Sequence, residues 1–138
     1  MKDYELIEHT ADIGIRVKAK DLKALFENTA LAMFDIMAEK REPKVKKRRE
    51  IKIGQRADNL EELFVNWLNE LLSLSATKEL IFSGFRINKV DKNALDAVAI
   101  GESIKNYKVN TEIKAATYHQ LKLEQAKSGW QAEVIFDV

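Results

Sequence analysis

Residues 13–37 read IGIRVKAKDLKALFENTALAMFDIM, a strand pattern followed directly by a helix pattern. Isoleucine or valine occupies every second position from 13 to 17, which is typical of a strand with one buried face. From Leu22 onward the apolar residues recur at intervals of three and four, which predicts an amphipathic helix with Asp21 as its N-cap. The fold prediction therefore starts from a strand–helix unit.

A second strand–helix unit follows at an offset of 38 residues. Its helix pattern, ADNLEELFVNWLNELLSLS at residues 57–75, comes after the strand pattern REIKIGQ. Asp58 is the predicted N-cap, and Glu61 three residues later gives a capping-box arrangement. The residues that coincide are Ala19 with Ala57, Leu22 with Leu60, Leu25 with Leu63, Phe26 with Phe64 and Asn28 with Asn66. Common structural demand explains this match as well as duplication does.

Strand patterns dominate the chain after the second helix. They cover residues 80–87, 94–100, 114–124 and 130–138. We expect the last two to pair as a hairpin. The order strand, helix, strand, helix and then several strands predicts the α+β class, with one domain over residues 1–138. In this prediction two helices pack on one face of a largely antiparallel or mixed sheet.

Composition narrows the class of protein. The 23 basic and 22 acidic side chains give a net charge of +1, so global charge argues neither for nor against nucleic acid. The absence of cysteine excludes disulfides and thiolate metal sites, and it suits a reducing compartment. No signal-peptide pattern and no bilayer-length apolar run is present, so we expect a soluble cytoplasmic protein. The sequence has no glycine-rich phosphate-binding loop, which argues against a self-sufficient enzyme.

Acidic groups lie beside the first predicted strand and at the end of the last one. Asp12 directly precedes the first strand, and the chain finishes with Asp137 and the terminal carboxylate of Val138. If the two terminal strands are neighbours, these three groups converge, and their repulsion calls for a cation. Such hard oxygen ligands favour Ca²⁺ or Mg²⁺ over zinc. The alternative is that Asp12 caps a turn and Asp137 is a solvated residue at a frayed end.

The chain has two histidines, His9 and His119, and each lies in a strand-like stretch. A histidine pair could act as acid and base, or bind a metal near neutral pH. The alternative is that each histidine is hydrogen-bonded at a sheet edge.

A basic run extends over residues 40–52, with eight cations in thirteen residues. Its place between the first helix and the second strand predicts an exposed loop. Such a loop could hold RNA phosphates or an acidic partner, or it could be a solvated connector. No aromatic residue is interleaved to stack bases, which weakens the case for single-stranded RNA.

Four stretches together resemble the archease family: EHTADIGI near the start, LFVNWLNELL in the second helix, KAATYHQLKLE, and the terminal EVIFDV. The resemblance extends from end to end. It implies an accessory protein, not an enzyme, that activates an RtcB-type RNA ligase. That ligase joins tRNA exon halves, and the family promotes its guanylylation with GTP and its multiple turnover. The association with tRNA would then be indirect.

The resemblance also implies a metal site. A divalent cation, Ca²⁺ first and Mg²⁺ or Mn²⁺ as alternatives, would be held by the acid of HTAD and by the last two residues. In this chain those residues are Asp12, Asp137 and Val138, with His9 and His119 as possible supporting residues.

Two other functions stay open at this stage. One is a standalone RNA-binding module or RNA chaperone that acts through the basic loop at residues 40–52. The other is a small metal-dependent hydrolase that uses the acid cluster.

Overall fold

The computed structural model describes residues 3–7, 12–42 and 47–138. The elements are β1 (Tyr4–Ile7), β2 (Ile13–Ala19), α1 (Leu22–Met37), β3 (Ala38–Lys40), β4 (Arg49–Arg56), α2 (Leu60–Lys78), β5 (Leu80–Val90), β6 (Ala94–Ser103), a short 3-10 helix (Ile104–Asn106), β7 (Tyr107–Val109), β8 (Ala115–Ala126) and β9 (Gly129–Asp137). Two helices and antiparallel strands confirm the predicted α+β class. None of the described helices is long and apolar enough to cross a bilayer.

The strands form three sheets, and the helices lie between two of them. The strand orders are β1-β2-β9-β8, β4-β6-β5 and β3-β7. Helix α1 packs against β2 and β9 on one side and against β5 on the other, and α2 packs against β8 and against all three strands of the β4-β6-β5 sheet. The sequence predicted one sheet covered on one face. A second sheet packs on the helices because the apolar surface of α2 is broad, including Leu63, Phe64, Trp67, Leu68 and Leu71, all at 0% exposure.

Capping residues set where the helices begin. Asp21 caps α1 as predicted. For α2 the prediction of Asp58 is wrong, because Asn59 is the cap and its side chain accepts a hydrogen bond from the Glu62 backbone N at 2.8 Å. The backbone of Asp58 is held elsewhere, since its carbonyl accepts a hydrogen bond from Asn93 at 3.1 Å. The capping-box spacing thus joins Asn59 to Glu62.

The basic run at residues 40–52 is only partly a loop. Lys40 belongs to β3, which pairs with β7, so the loop prediction is wrong at its start. Residues 49–52 lie in β4, as the strand pattern predicts. Residues 43–46 of the run lie outside the described ranges.

A buried ion pair anchors the two-stranded sheet. The strand pattern predicted residues 94–100 for β6, but the strand continues to Ser103. Glu102 is 2% exposed and its Oε2 accepts a hydrogen bond from Lys40 Nζ at 2.8 Å. A buried carboxylate needs such a partner to offset its lost hydration. The pair therefore fixes β3 against the end of β6.

The two helices meet through aromatic side chains. Phe26 of α1 and Phe64 of α2, which coincide in the offset match, are in edge-to-face contact with ring centroids 5.2 Å apart. Trp67 is fully buried, and its indole N–H donates to the Phe26 carbonyl oxygen at 3.0 Å. This contact holds the helical layer together.

Replacing Trp67 by Phe should therefore destabilise the protein markedly. The change leaves a cavity and removes the bond to the Phe26 carbonyl, for an expected loss of about 2–4 kcal/mol in the free energy of unfolding. Urea unfolding followed by far-ultraviolet circular dichroism measures it. The matched control is Trp130→Phe at a half-buried position, where the loss should be clearly smaller. Equal losses at the two positions would contradict this description of the core.

Candidate functional site

Strands β2 and β9 are neighbours, and their register brings the two ends of the sequence together. Ile13 is paired with Phe136 at one end of this antiparallel ladder. Asp12 directly precedes Ile13, and Asp137 directly follows Phe136. The two aspartates therefore lie at the same end of the strand pair, which is the condition that the sequence-based site requires.

Apolar pairing explains this register. Ile15 is paired with Val134 and Val17 with Ala132, and all four side chains are at most 1% exposed. Because successive side chains in a strand point to opposite faces, a slip by one residue would expose all of them. The buried pairs thus fix which residues lie at the end of the ladder.

Asp137 is held by the neighbouring strand β8. Its partner in β8 is Ala115, and its carbonyl oxygen accepts a hydrogen bond from the Lys114 backbone N at 2.8 Å. Strand alternation places its side chain on the outward face, where it is exposed, and Val138 after it is 37% exposed. Asp12 lies in a bend ahead of β2 and is half-buried, so strand alternation does not set its direction.

His119 lies farther along the same sheet. It is in an irregular part of β8, between Thr117, which pairs with Ile135, and Lys122, which pairs with Glu133. Gln120 in this segment has a left-handed backbone, with φ of 53°. His119 is exposed beside the middle of β9, whereas Asp137 lies at its end. A supporting role for His119 stays a prediction.

His9 lies outside the described residues, and its supporting role also stays a prediction.

The donor groups at this end fit a hard cation only in part. Within residues 3–7, 12–42 and 47–138, no three side chains of His, Cys, Asp or Glu are grouped so that they could hold a metal. Asp12, Asp137 and the terminal carboxylate supply oxygen ligands of the kind that Ca²⁺ and Mg²⁺ take, but Ca²⁺ takes about six to eight oxygens. The remaining ligands would come from water, the backbone, a partner or side chains outside the described ranges.

An arginine between two carboxylates ties three strands together on the outward face. Arg16 of β2 contacts Glu5 of β1 at 3.0 Å and Glu133 of β9 at 3.3 Å. Arg16 donates a hydrogen bond to each carboxylate, and these bonds, the one to Glu5 first and the one to Glu133 second, raise the pKa of Arg16. Strand alternation in the sequence places Arg16 on the outward face. Its contacts with Glu5 and Glu133 depend on the order of the strands, so they could not be predicted from the sequence.

The comparisons with known proteins identify the family. The family described as "Archease protein family (MTH1598/TM1083)" matches residues 4–138. The chain belongs to the archease family. Among its archease relatives, the protein archease of Methanosarcina acetivorans is 39% identical over 143 aligned residues, which cover 99% of this chain and 97% of that protein. The protein archease of Pyrococcus furiosus is 38% identical over 144 residues, with 100% of both chains covered.

Two solved structures related to archease share the fold. The solution structure of Methanobacterium thermoautotrophicum protein 1598 superposes with a TM-score of 0.78 at 32% identity and covers 100% of both chains. The crystal structure of an archease, possible chaperone, from Thermotoga maritima gives a TM-score of 0.63 at 25% identity, covering 96% of this chain and 94% of that one. These matches confirm the family and the fold that the sequence predicted.

Replacing Arg16 by Gln should weaken the sheet that carries Asp12 and Asp137. The urea midpoint should fall at low ionic strength, and the difference from the parent should shrink at high salt because salt screens the exposed contact with Glu5 and, in part, the half-buried contact with Glu133. The matched control is Arg86→Gln, which removes a single exposed ion pair with Glu50 and should change the midpoint less. A salt-independent loss for Arg16→Gln would contradict the electrostatic explanation.

Proposed function

We propose that this chain is an accessory protein, and not itself an enzyme, that activates an RtcB-type RNA ligase in the joining of tRNA exon halves. Membership of the archease family supports an accessory role. The observation that carries the proposal is the meeting of Asp12 and Asp137 at one end of the β2–β9 ladder. The cytoplasm, where tRNA substrates are available in a reducing environment, is the compartment that the cysteine-free composition favours.

The acidic end is defined as Asp12, Asp137 and the terminal carboxylate of Val138. Asp137 and Val138 are exposed and Asp12 is half-buried, so the end of β9 is accessible to another protein. The backbone of Asp137 is fixed by Lys114 at 2.8 Å. Its carboxylate is therefore presented from a rigid strand, which limits the entropy lost on docking.

The acidic end would hold a divalent cation together with the ligase. A bound Ca²⁺, Mg²⁺ or Mn²⁺ would neutralise negative charge on phosphate groups. Because the donors among the described residues are too few for such an ion, oxygens of the partner would fill remaining positions. Asp12 and Asp137 would thus position the ion at the interface, and the ligase would make the covalent bonds.

An exposed acidic end suits this role better than independent catalysis. Active sites generally lie in concave pockets that exclude water and shift the pKa values of their acids and bases. Asp137 is exposed at the end of β9. A metal-dependent hydrolase would need a site that excludes water, so the exposure of Asp137 favours the accessory role.

The ligase activity should depend on the two aspartates. In a ligation assay with about tenfold more RNA than ligase, the parent chain should stimulate multiple turnover. The variant Asp12→Asn with Asp137→Asn should lose most of that stimulation, because neutral amides do not offset the charge of a cation. The matched control is Glu124→Gln, which neutralises an exposed acid farther along β8 and should stimulate as the parent does. Equal stimulation by the double variant, with an unchanged unfolding midpoint, would refute the role of the acidic end.

Cation binding should be measurable on the isolated chain. Thermal unfolding in increasing Ca²⁺ should show a rising midpoint for the parent, because a ligand that binds only the folded state stabilises it by RT ln(1 + [L]/Kd). Asp12→Asn with Asp137→Asn should abolish the rise, and Glu124→Gln should keep it. The same measurement with Mg²⁺ and Mn²⁺ ranks the three ions. An identical rise in the parent and the double variant would place the ion elsewhere.

A further inference from the structure

The β4-β6-β5 sheet has an outer face that points away from the helices. In β4 the buried Ile53 points inward, so Lys52, Gly54 and Arg56 point outward. Lys52 pairs with Val98 of β6, which pairs in turn with Arg86 of β5. Because the helices lie between the two larger sheets, this face is on the opposite side of the helical layer from the outward face around Arg16.

Positive charge exceeds negative charge on this surface. The basic face, as we name it, consists of Lys52, Arg56, Arg86 and Lys89 on the sheet, with Lys47 and Arg48 directly before β4. All six of these side chains are exposed. Three carboxylates lie beside them. Glu50 contacts Arg86 at 3.4 Å, Asp96 lies opposite Lys89 in the strand register, and Asp91 is in the β5–β6 turn.

The basic face has no exposed large apolar or aromatic side chain in the part of the chain that the structure describes. Among the described residues the exposed large apolar side chains are Leu6, Leu31, Val109, Tyr118 and Val138, and none of them belongs to this face. Val98 at its centre is 6% exposed. Protein interfaces rely on buried apolar or aromatic anchors, and single-stranded nucleic acids need aromatic rings for base stacking. A phosphate backbone requires neither.

The cations form a two-dimensional array and not a single line. Adjacent strands are about 4.8 Å apart, so the backbones of Lys52 and Arg86, one strand to either side of Val98, are separated by about 10 Å. Lys89 and Arg56 extend the array toward the β5–β6 turn. Hydrogen bonds from the backbone N–H groups of Asn93 and Ala94 lower the pKa of Asp91 in that turn, and the nearby charges of Lys89 and Arg56 lower it further. Long flexible side chains on such an array can reach phosphates on both sides of the shallow minor groove of duplex RNA.

We propose that the basic face binds the phosphate backbone of double-stranded RNA without regard to base sequence. This binding is independent of the acidic end, because the two surfaces belong to different sheets. The chain could therefore contact a structured RNA and dock its acidic end at the same time.

Fluorescence anisotropy with a labelled RNA hairpin of about 16 base pairs tests the proposal. The affinity of the parent should fall steeply between about 50 and 200 mM salt, because binding releases counterions from the phosphates. The variant Lys52→Ala, Arg56→Ala, Lys89→Ala should bind at least about tenfold more weakly at low salt, and its salt slope should fall by up to about one unit for each cation removed. A hairpin of shuffled sequence should bind the parent equally well.

Two variants make the result specific. Lys18→Ala with Lys122→Ala removes two exposed lysines from the outward face of the other sheet and should leave the affinity unchanged. Lys52→Arg with Lys89→Arg keeps the charges and should bind as the parent does. Unfolding midpoints of all variants should match the parent, since the replaced side chains are exposed.

Four outcomes would overturn the proposal. These are equal affinity of the triple-alanine variant and the parent, no binding by the parent at low salt, tighter binding of an unstructured single strand than of the hairpin, and equal affinity for labelled poly-glutamate of matched charge. The last result would assign the basic face to an acidic protein.

Discussion

The pairing of β2 with β9 is the constraint on which the molecule depends. Two strands separated by most of the sequence are held in one register because the side chains of Ile15 and Val134 are buried together. A slip by one residue would turn the apolar face of either strand toward water. The same register puts Asp12 and Asp137 at one end of the ladder, so the burial of apolar groups also determines where the acidic groups lie.

The helical layer gives the molecule two independent surfaces. Both helices bury apolar side chains toward sheets on two sides, and the Phe26–Phe64 contact joins them across the layer. One outer sheet carries the acidic end, and the other carries the basic face. The proposed binding of an enzyme at one surface and of RNA at the other needs such a separation, because opposite charges on one surface would neutralise each other.

Local features of the fold could be predicted from the sequence. Apolar alternation located six of the nine strands described and missed the short strands β1, β3 and β7. The three-and-four spacing located both helices, and Asp21 was correctly assigned as a cap. Asn59 was missed in favour of Asp58 because both residue types cap helices and the choice depends on where the helix begins. The division into three sheets was missed because strand pairing is set by contacts distant in sequence. The burial of Glu102 against Lys40, 62 residues away, was missed for the same reason.

The sequence predicted the candidate site only on the condition that the first and last predicted strands are neighbours. Sequence placed acids at both ends of the chain, and the family resemblance selected Asp12, Asp137 and Val138, but only the strand order brings the first two to one end of a ladder. The most direct measurement is disulfide formation in the variant Asp12→Cys with Asp137→Cys, in a chain that otherwise has no cysteine. A disulfide needs Cα atoms about 4.4–6.8 Å apart. Mild oxidation should give an intramolecular cross-link, because Asp12 and Asp137 adjoin the paired residues Ile13 and Phe136. The control Lys18→Cys with Asp137→Cys should not cross-link. No cross-link in the first variant, or equal cross-linking in both, would contradict the account.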